Sequence, residues 1–303
     1  MRFATVAWLA LVVAGCGQVT SPGTDSSVGG SDIDADTVEP DPDAGQPDAT
    51  PPLCLWSELT RDDFVNLNGT DFERSPSFTT DGLAIFYTSA PQSGEYPADV
   101  FDAVREERGL PFGAPRLVGE VSAPEGEYDV EIAAAADEIY LLRDSGPAIL
   151  ASARVKGGAF GEPVDTGLVG TSPTLSGDGL DLYFLDPAKS TIQRSSRAAL
   201  GEPWGPAEPV GQSGSYTWID VTADELRLLL SGGAGGVDTP AIAIAERASV
   251  DEPFGEPAAA GDALVGGGAS IVGEASWDGR GAQLVVAVEL EDGNSDLYFS
   301  ACE

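Results

Sequence analysis

One compound punctuation recurs along this chain and limits what it can fold into. A turn containing aspartate stands directly before an apolar, aromatic-rich run: TTDGLAIFY at Asp81, AAADEIYLL at Asp137, SGDGLDLYF at Asp178, TADELRLLL at Asp224 and SWDGRGAQLVVAV at Asp278. Asp-Gly between strand-forming residues is a hairpin signal, because glycine accepts the positive φ such turns need. A second mark, an aromatic-Gly pair followed by proline, falls between them at Phe112, Phe160, Trp204 and Phe254. An arginine stands six or seven residues ahead of each: Arg105, Arg154, Arg197 and Arg247. Successive aspartate turns lie 41 to 56 residues apart. No stretch carries a helical apolar stripe, and the apolar runs are short and broken by turn residues, as in strands.

A repeat of about 45 residues holding some four short strands has the size of one propeller blade. Such a sheet cannot bury both faces alone, so blades must stack around an axis. The expected class is therefore all-β. The segments SPSFTTDGLAIFYTS (Ser75 to Ser89) and SPTLSGDGLDLYFLD (Ser172 to Asp186) resemble the repeat of TolB-type, WD-repeat-like β-propellers. Asp99-Val100-Phe101 and Asp296-Leu297-Tyr298 match that family's Asp-Ile-Tyr element, and Phe112, Phe160, Trp204 and Phe254 match its tryptophan strand. The resemblance spans residues 54 to 303. It is eroded in the second and fourth repeats, which lack the proline and the glycine.

The ends of the repeat region carry a more specific expectation. Five aspartate turns face only four internal aromatic strands, because the last repeat stops at DLYFSACE, where Cys302 aligns with the arginines. The stretch CLWSELTRDDFVNLNG supplies an orphan aromatic strand, with Trp56 in the place of Phe112 or Trp204. A five-bladed propeller closed by an N-terminal strand follows, with no free edge left at the seam. That closure puts Cys54 beside Cys302. In an exported protein the pair is expected as a disulfide, contributing roughly 4 to 5 kcal/mol by chain entropy; two unpaired buried thiols are the alternative.

The N-terminus sets the compartment. Arg2 precedes an apolar run from Phe3 to Val13, too short to remain as a membrane-spanning helix. Val13-Ala14-Gly15-Cys16 resembles the lipobox of bacterial lipoproteins. The resemblance implies cleavage before Cys16 and its acylation; an ordinary secretory signal with a coincidental cysteine is the alternative. Gly17, where family rules place Asp for inner-membrane retention, points to the outer membrane, with the domain facing the periplasm or the surface. Residues 17 to 52 contain no Lys, Arg or aromatic and read as a solvated acidic tether. Asp32, Asp34 and Asp36 alternate as in some calcium loops, without the loop's glycine and closing glutamate. The expected organisation is a signal peptide over 1–15, a linker over 16–52 and a propeller over 53–303, with the membrane reached through the lipid alone.

Composition then excludes several functions. Fifty acidic residues against fifteen basic give a net charge of −35, which argues against nucleic acid. Histidine is absent, which removes Ser-His-Asp and Cys-His hydrolysis and histidine-ligated metals. The aspartate turns repeat at one structural place, as a turn requirement predicts and catalysis does not. Glu125, Glu127, Asp129 and Glu131 form the strongest non-repeated acidic cluster and read as a solvated loop between blades. Asp292, Asn294 and Asp296 fit the repeat better than a cation site, and SGGAGG from Ser231 lacks the Lys of a phosphate loop. Tyr96, Tyr128, Tyr216 and Trp218 are candidates for a sugar or peptide groove, Trp218 reading rather as packed between blades. The expectation is a monomeric, non-catalytic module that binds a protein or glycan at one propeller face, with no cofactor or metal. The alternative is a carbohydrate-active hydrolase with carboxylates from different blades at the channel mouth.

Overall fold

The computed structural model describes residues 56–301, apart from residues 58, 92–96, 134, 155–157, 187, 190, 215, 233–241, 261–269, 279–280 and 291–293. The proposed signal segment, the tether, Cys16, Cys54, Cys302, Tyr96 and Asp292 thus lie outside the described residues.

The chain folds as consecutive antiparallel meanders. β1 (Phe72–Phe78), β2 (Ala84–Ala90), β3 (Asp99–Val104) and β4 (Arg116–Leu117) pair in that order. β5 (Glu127–Ile132), β6 (Glu138–Arg143), β7 (Gly146–Ala153) and β8 (Val164–Val169) form a four-stranded sheet. So do β9 (Thr171–Leu175), β10 (Asp181–Asp186), β11 (Thr191–Ser196) and β12 (Glu208–Ser213). The next sheet comprises β13 (Trp218–Val221), β14 (Arg227–Ser231), β15 (Ile242–Glu246) and β16 (Ala258–Ala259). Last come β17 (Ser270–Trp277), β18 (Gln283–Glu289) and β19 (Ser295–Ala301), joined to β1 by one parallel contact at Phe72 and Ser295. The first strands pack in a cycle: β1 on β5, β5 on β9, β9 on β13, β13 on β17, and β17 back on β1. Sheets whose first strands surround an axis make a β-propeller.

The two sequence marks converge on one device. Asp81 Oδ1 accepts the Leu83 N–H and the Thr79 hydroxyl, closing the turn before β2. Asp178 does the same with Leu180 and Ser176, and Asp224 with Leu226 and Thr222. Gly82 and Gly179 take φ of 68° and 70° there. The arginine of each repeat lies over its aromatic, at 4.5 Å for Arg105 on Phe112, 4.2 Å for Arg154 on Phe160, 4.6 Å for Arg197 on Trp204 and 4.3 Å for Arg247 on Phe254. Arg105 Nε also donates to Gly82 O and Arg197 Nε to Gly179 O, both at 2.8 Å. The guanidinium thus ties the aspartate turn to the aromatic strand. In the eroded second repeat the buried Arg154 Nε has no such partner.

Residues 56, 57 and 59–68 lie against the last sheet. Ser57 N–H donates to Ala301 O and Thr60 N–H to Phe299 O, each at 2.9 Å, and Phe299 N–H returns to Thr60 O at 2.8 Å. Trp56 is buried with Leu229, Ile244, Trp277 and Val286. Asn68 Oδ1 accepts the Leu297 N–H while its Nδ2 donates to Leu297 O, both at 2.8 Å, standing in for a strand neighbour. On the other side Asp63 receives Arg105 Nη1 at 2.8 Å, and Phe64 stacks on Phe112 with centroids 5.7 Å apart. One short segment therefore holds the first and last sheets together.

Candidate binding cleft at the channel mouth

The innermost strands carry polar residues two positions apart: Ser75 and Ser77, Asp129 and Glu131, Ser172 and Thr174, Glu274 and Ser276. In β13 only the second place is polar, with Trp218 and Asp220. Bulges interrupt the pairing of β1, β5 and β17 at these places. Ser75, Asp129 and Ser172 take φ of 49°, 53° and 50°. The bulges free backbone N–H groups from the ladder, and a buried N–H needs an acceptor.

Each acceptor comes from the neighbouring sheet, in one rotational sense. In the first ring Glu274 Oε2 accepts the Ser75 N–H at 2.6 Å and Ser75 Oγ accepts the Asp129 N–H at 3.1 Å. Asp129 Oδ2 accepts the Ser172 N–H at 2.7 Å, and Ser172 Oγ the Ile219 N–H at 2.8 Å. In the second ring Ser77 Oγ accepts the Ile132 N–H and Glu131 Oε1 the Leu175 N–H, both at 3.0 Å. Thr174 Oγ1 accepts the Val221 N–H at 3.2 Å, and Asp220 Oδ2 the Trp277 N–H at 2.9 Å. The hydroxyls donate in turn, Ser77 to Glu131 Oε2 at 2.7 Å and Thr174 to Asp220 Oδ1 at 2.6 Å. Both oxygens of Glu131 and of Asp220 are therefore committed within the ring.

Burial dominates the electrostatics. It drives Glu131 well above the usual carboxylate range, with the Asp220 charge adding to it. Burial also pushes Asp220 up to about 6, against the pull of the Thr174 and Ser276 hydroxyls. In the first ring burial raises Asp129 to about 7, opposed by the Ser172 N–H and helped by Glu274. Glu274 is raised by burial too, with the Ser75 N–H and Arg74 opposing.

The two rings border different spaces. The second ring faces a void of about 30 Å³, room for little more than a water. Beside the first ring a cleft of about 270 Å³ opens between β1 and β5, lined by Phe72, Arg74, Glu127, Tyr128, Asp129 and Glu274 among others. Glu127, 1% exposed, holds Arg143 Nε on Oε1 at 3.1 Å, while its buried Oε2 has no hydrogen-bond partner. Arg74 Nε is likewise buried and unpartnered.

These positions correct one expectation. Glu127, Asp129 and Glu131 are not in a solvated loop: they form β5, an innermost strand, and only Glu125 before it is exposed. Acid alternating with Tyr128, Val130 and Ile132 looks like a strand with one wet face. On an innermost strand that face meets the axis, where neighbouring N–H groups need acceptors. The aspartates at 81, 178, 224 and 278 stay at turns as expected, and Trp218 is buried. Tyr128 reaches the cleft, and Tyr216 packs half-buried against a cluster of side chains from β10, β11, β13, β14 and β15. Sequence reasoning missed Asp220, Glu274 and the serines. Their signal was a polar pair two apart ahead of four of the five aspartate turns, with Asp220 alone ahead of the other. Among the described residues no cluster of Asp, Glu or Cys is arranged to hold a metal ion.

No family model and no curated protein matches the chain. Solved structures do. A GH62 hydrolase in complex with xylotriose superposes with a TM-score of 0.51 at 13% identity, over 81% of this chain and 95% of that one. TolB from Acinetobacter baumannii gives 0.49 at 12%, over 81% and 63%. Regucalcin from Agrobacterium tumefaciens gives 0.45 at 12%, over 81% and 93%. At such identities the likeness is one of fold.

Proposed function

We propose that this chain is an exported, lipid-anchored five-bladed propeller that binds a protein or glycan at its channel mouth without turning it over. The observation that carries the reading is the state of Glu131 and Asp220. These deeply buried channel acids spend all their oxygens on neighbouring N–H and hydroxyl groups. A carboxylate so held is a strut between sheets, because a proton donor or nucleophile needs an oxygen facing its substrate. The blade count draws support from the cyclic packing of β1, β5, β9, β13 and β17. The anchor draws its support from the VAGC sequence ending at Cys16; mass spectrometry of membrane-extracted protein should find Cys16 as an acylated first residue. Turnover assays on neutral glycans and peptides should show no product.

A second reading, a carbohydrate-active hydrolase, has its own support. Asp129 and Glu274 come from different sheets, border the same cleft, and each keeps an oxygen that the rings do not use. The fold is also shared with a hydrolase solved with xylotriose. Hydrolysis that disappears in Asp129→Asn or Glu274→Gln would establish this reading instead.

A further inference from the structure

The cleft between β1 and β5 carries more acid than the protein's own cations answer. Glu127, Asp129, Asp144 and Glu274 line its space of about 270 Å³, against one cation, Arg74. Two of the four acids are balanced. Glu127 holds Arg143 Nε at 3.1 Å, and the Arg74 charge opposes that of Glu274. Asp129 and Asp144 remain, and among the described residues no Lys or Arg forms an ion pair with either.

Asp129 is placed to use what is missing. The first ring takes only its Oδ2, for the Ser172 N–H at 2.7 Å. Oδ1 stays outside the ring, on a side chain that keeps part of its surface and borders the cleft. Glu274 likewise gives the ring Oε2 and leaves Oε1. Burial, with the Glu274 charge, raises Asp129 to about 7, so the protein alone does not supply what would keep it ionised.

Three ligand chemistries compete with an organic cation. An anion would meet four carboxylates. A neutral ligand would leave Asp129 and Asp144 without a counter-charge. An inorganic cation needs several oxygens converging on one point, and no cluster of Asp, Glu or Cys among the described residues is so arranged. An organic ammonium needs less. One N–H against Asp129 Oδ1 makes a charge-assisted hydrogen bond, and the carbon chain behind it has Tyr128 and Phe72 to rest on. The net charge of −35 also draws cations toward the surface.

We propose that the cleft between β1 and β5 binds an organic ammonium group, seated on Asp129 with the exposed Asp144 beside it. This rests on the binding reading above and names the ligand chemistry. The group comes from a lysine side chain of a protein partner or from a free polyamine.

A pH dependence follows. The charged and titratable groups around Asp129 are Glu274, Glu127, Asp144, Tyr128 and Arg74. Both glutamates are raised by burial, so their ionisation acts in the same sense, while Tyr128 is raised away from neutrality. Only the ionised aspartate accepts the cation, so apparent affinity scales with the ionised fraction. With Asp129 at about 7, affinity should be about tenfold greater at pH 8 than at pH 6.

The test titrates the full chain by calorimetry at about 0.15 M salt, which screens exposed charges beyond roughly 8 Å. Nα-acetyl-lysine amide stands for a partner's side chain and spermidine for a free polyamine. Doubly acetylated lysine amide, which has no charge, is the control. At least one amine should bind, the neutral control should not, and the tighter amine identifies the source. Affinity should fall about tenfold or more in Asp129→Asn, which keeps an acceptor for the Ser172 N–H. It should fall about two- to fivefold in Asp144→Asn, where the exposed side chain leaves folding untouched. Glu202→Gln, an exposed acid between β11 and β12, should change nothing. The assignment would be overturned by no binding of either amine, by equal binding of the neutral control, or by affinity that does not rise from pH 6 to pH 8. Losses in the two aspartate variants no larger than in Glu202→Gln would also overturn it. Amine binding together with glycan hydrolysis that is lost in Asp129→Asn would uphold the cleft and overturn the non-catalytic reading instead.

Discussion

Ser75 and Glu274, 199 positions apart, meet where the first innermost strand touches the last: the Ser75 N–H donates to Glu274 Oε2 at 2.6 Å. Ser75 takes φ of 49°, a conformation unusual for a residue with a side chain. The bulge turns its N–H toward the axis, and the glutamate makes that turn tolerable. Glu274→Ala should therefore destabilise the fold by about 1–3 kcal/mol, the cost of a buried donor left unpaired. Glu274→Gln keeps an acceptor oxygen and should cost less. Urea unfolding of the three proteins gives the comparison.

Glu131 distinguishes a strut from a catalyst. Burial and the neighbouring Asp220 charge raise its titration, and Glu131→Gln keeps an acceptor oxygen for the Leu175 N–H, so this variant should be nearly neutral in stability. Glu131→Leu removes the acceptor for the Leu175 N–H and the Ser77 hydroxyl, and should cost about 1–3 kcal/mol. Equal losses in the two variants would show that charge, not hydrogen-bond acceptance, is what the position supplies.

Stability should fall as pH rises through the neutral range. Asp220, Asp129 and Glu73 are raised to about 6, 7 and 8, Glu73 by burial and the neighbouring Asp296 charge. Between their ordinary carboxylate values and these the folded state binds more protons than the unfolded, so the slope of stability with pH is negative. The melting temperature should be highest near pH 4 and decline to pH 8, with the upper part of the decline flattened in Glu73→Gln. A melting temperature that climbs across this window would contradict the assignment.

The arginine–aromatic pair should matter unequally among the repeats. Arg197 lies over Trp204, donates to Gly179 O and pairs with Glu138 of the neighbouring sheet. Arg154 lies over Phe160 with its Nε unpartnered. Arg197→Met should cost about 2 kcal/mol or more, and Arg154→Met clearly less. Thermal melts at one pH read the difference.

How much of this was legible beforehand depended on where the constraint is local. Asp81, Asp178 and Asp224 fold back on the N–H two residues on, a relationship contained in three residues, and the sequence displays it as a repeated motif. Arg197 and Trp204 also sit in one hairpin. The rings were hidden because their partners lie roughly one repeat apart. Nothing near Asp129 announces that its carboxylate serves the N–H of Ser172. The acids of β5 look solvated until the cyclic packing places them on the axis. The closure lay between: Trp56 was visible as an orphan aromatic, while the bidentate hold of Asn68 on Leu297 was not.

The closing segment offers the most direct test of the account. Its pairing with β19 and the burial of Trp56 tie the two ends of the ring. Two truncated proteins, one lacking residues 17–50 and one lacking residues 17–60, should be compared with the intact chain by thermal unfolding. The first should melt like the intact protein, because an acidic, aromatic-free segment has little apolar surface to bury. The second should lose at least about 3 kcal/mol, from the buried tryptophan and the exposed strand edge. A protein lacking Trp56 and Thr60 that melts at the temperature of the intact chain would contradict the closure.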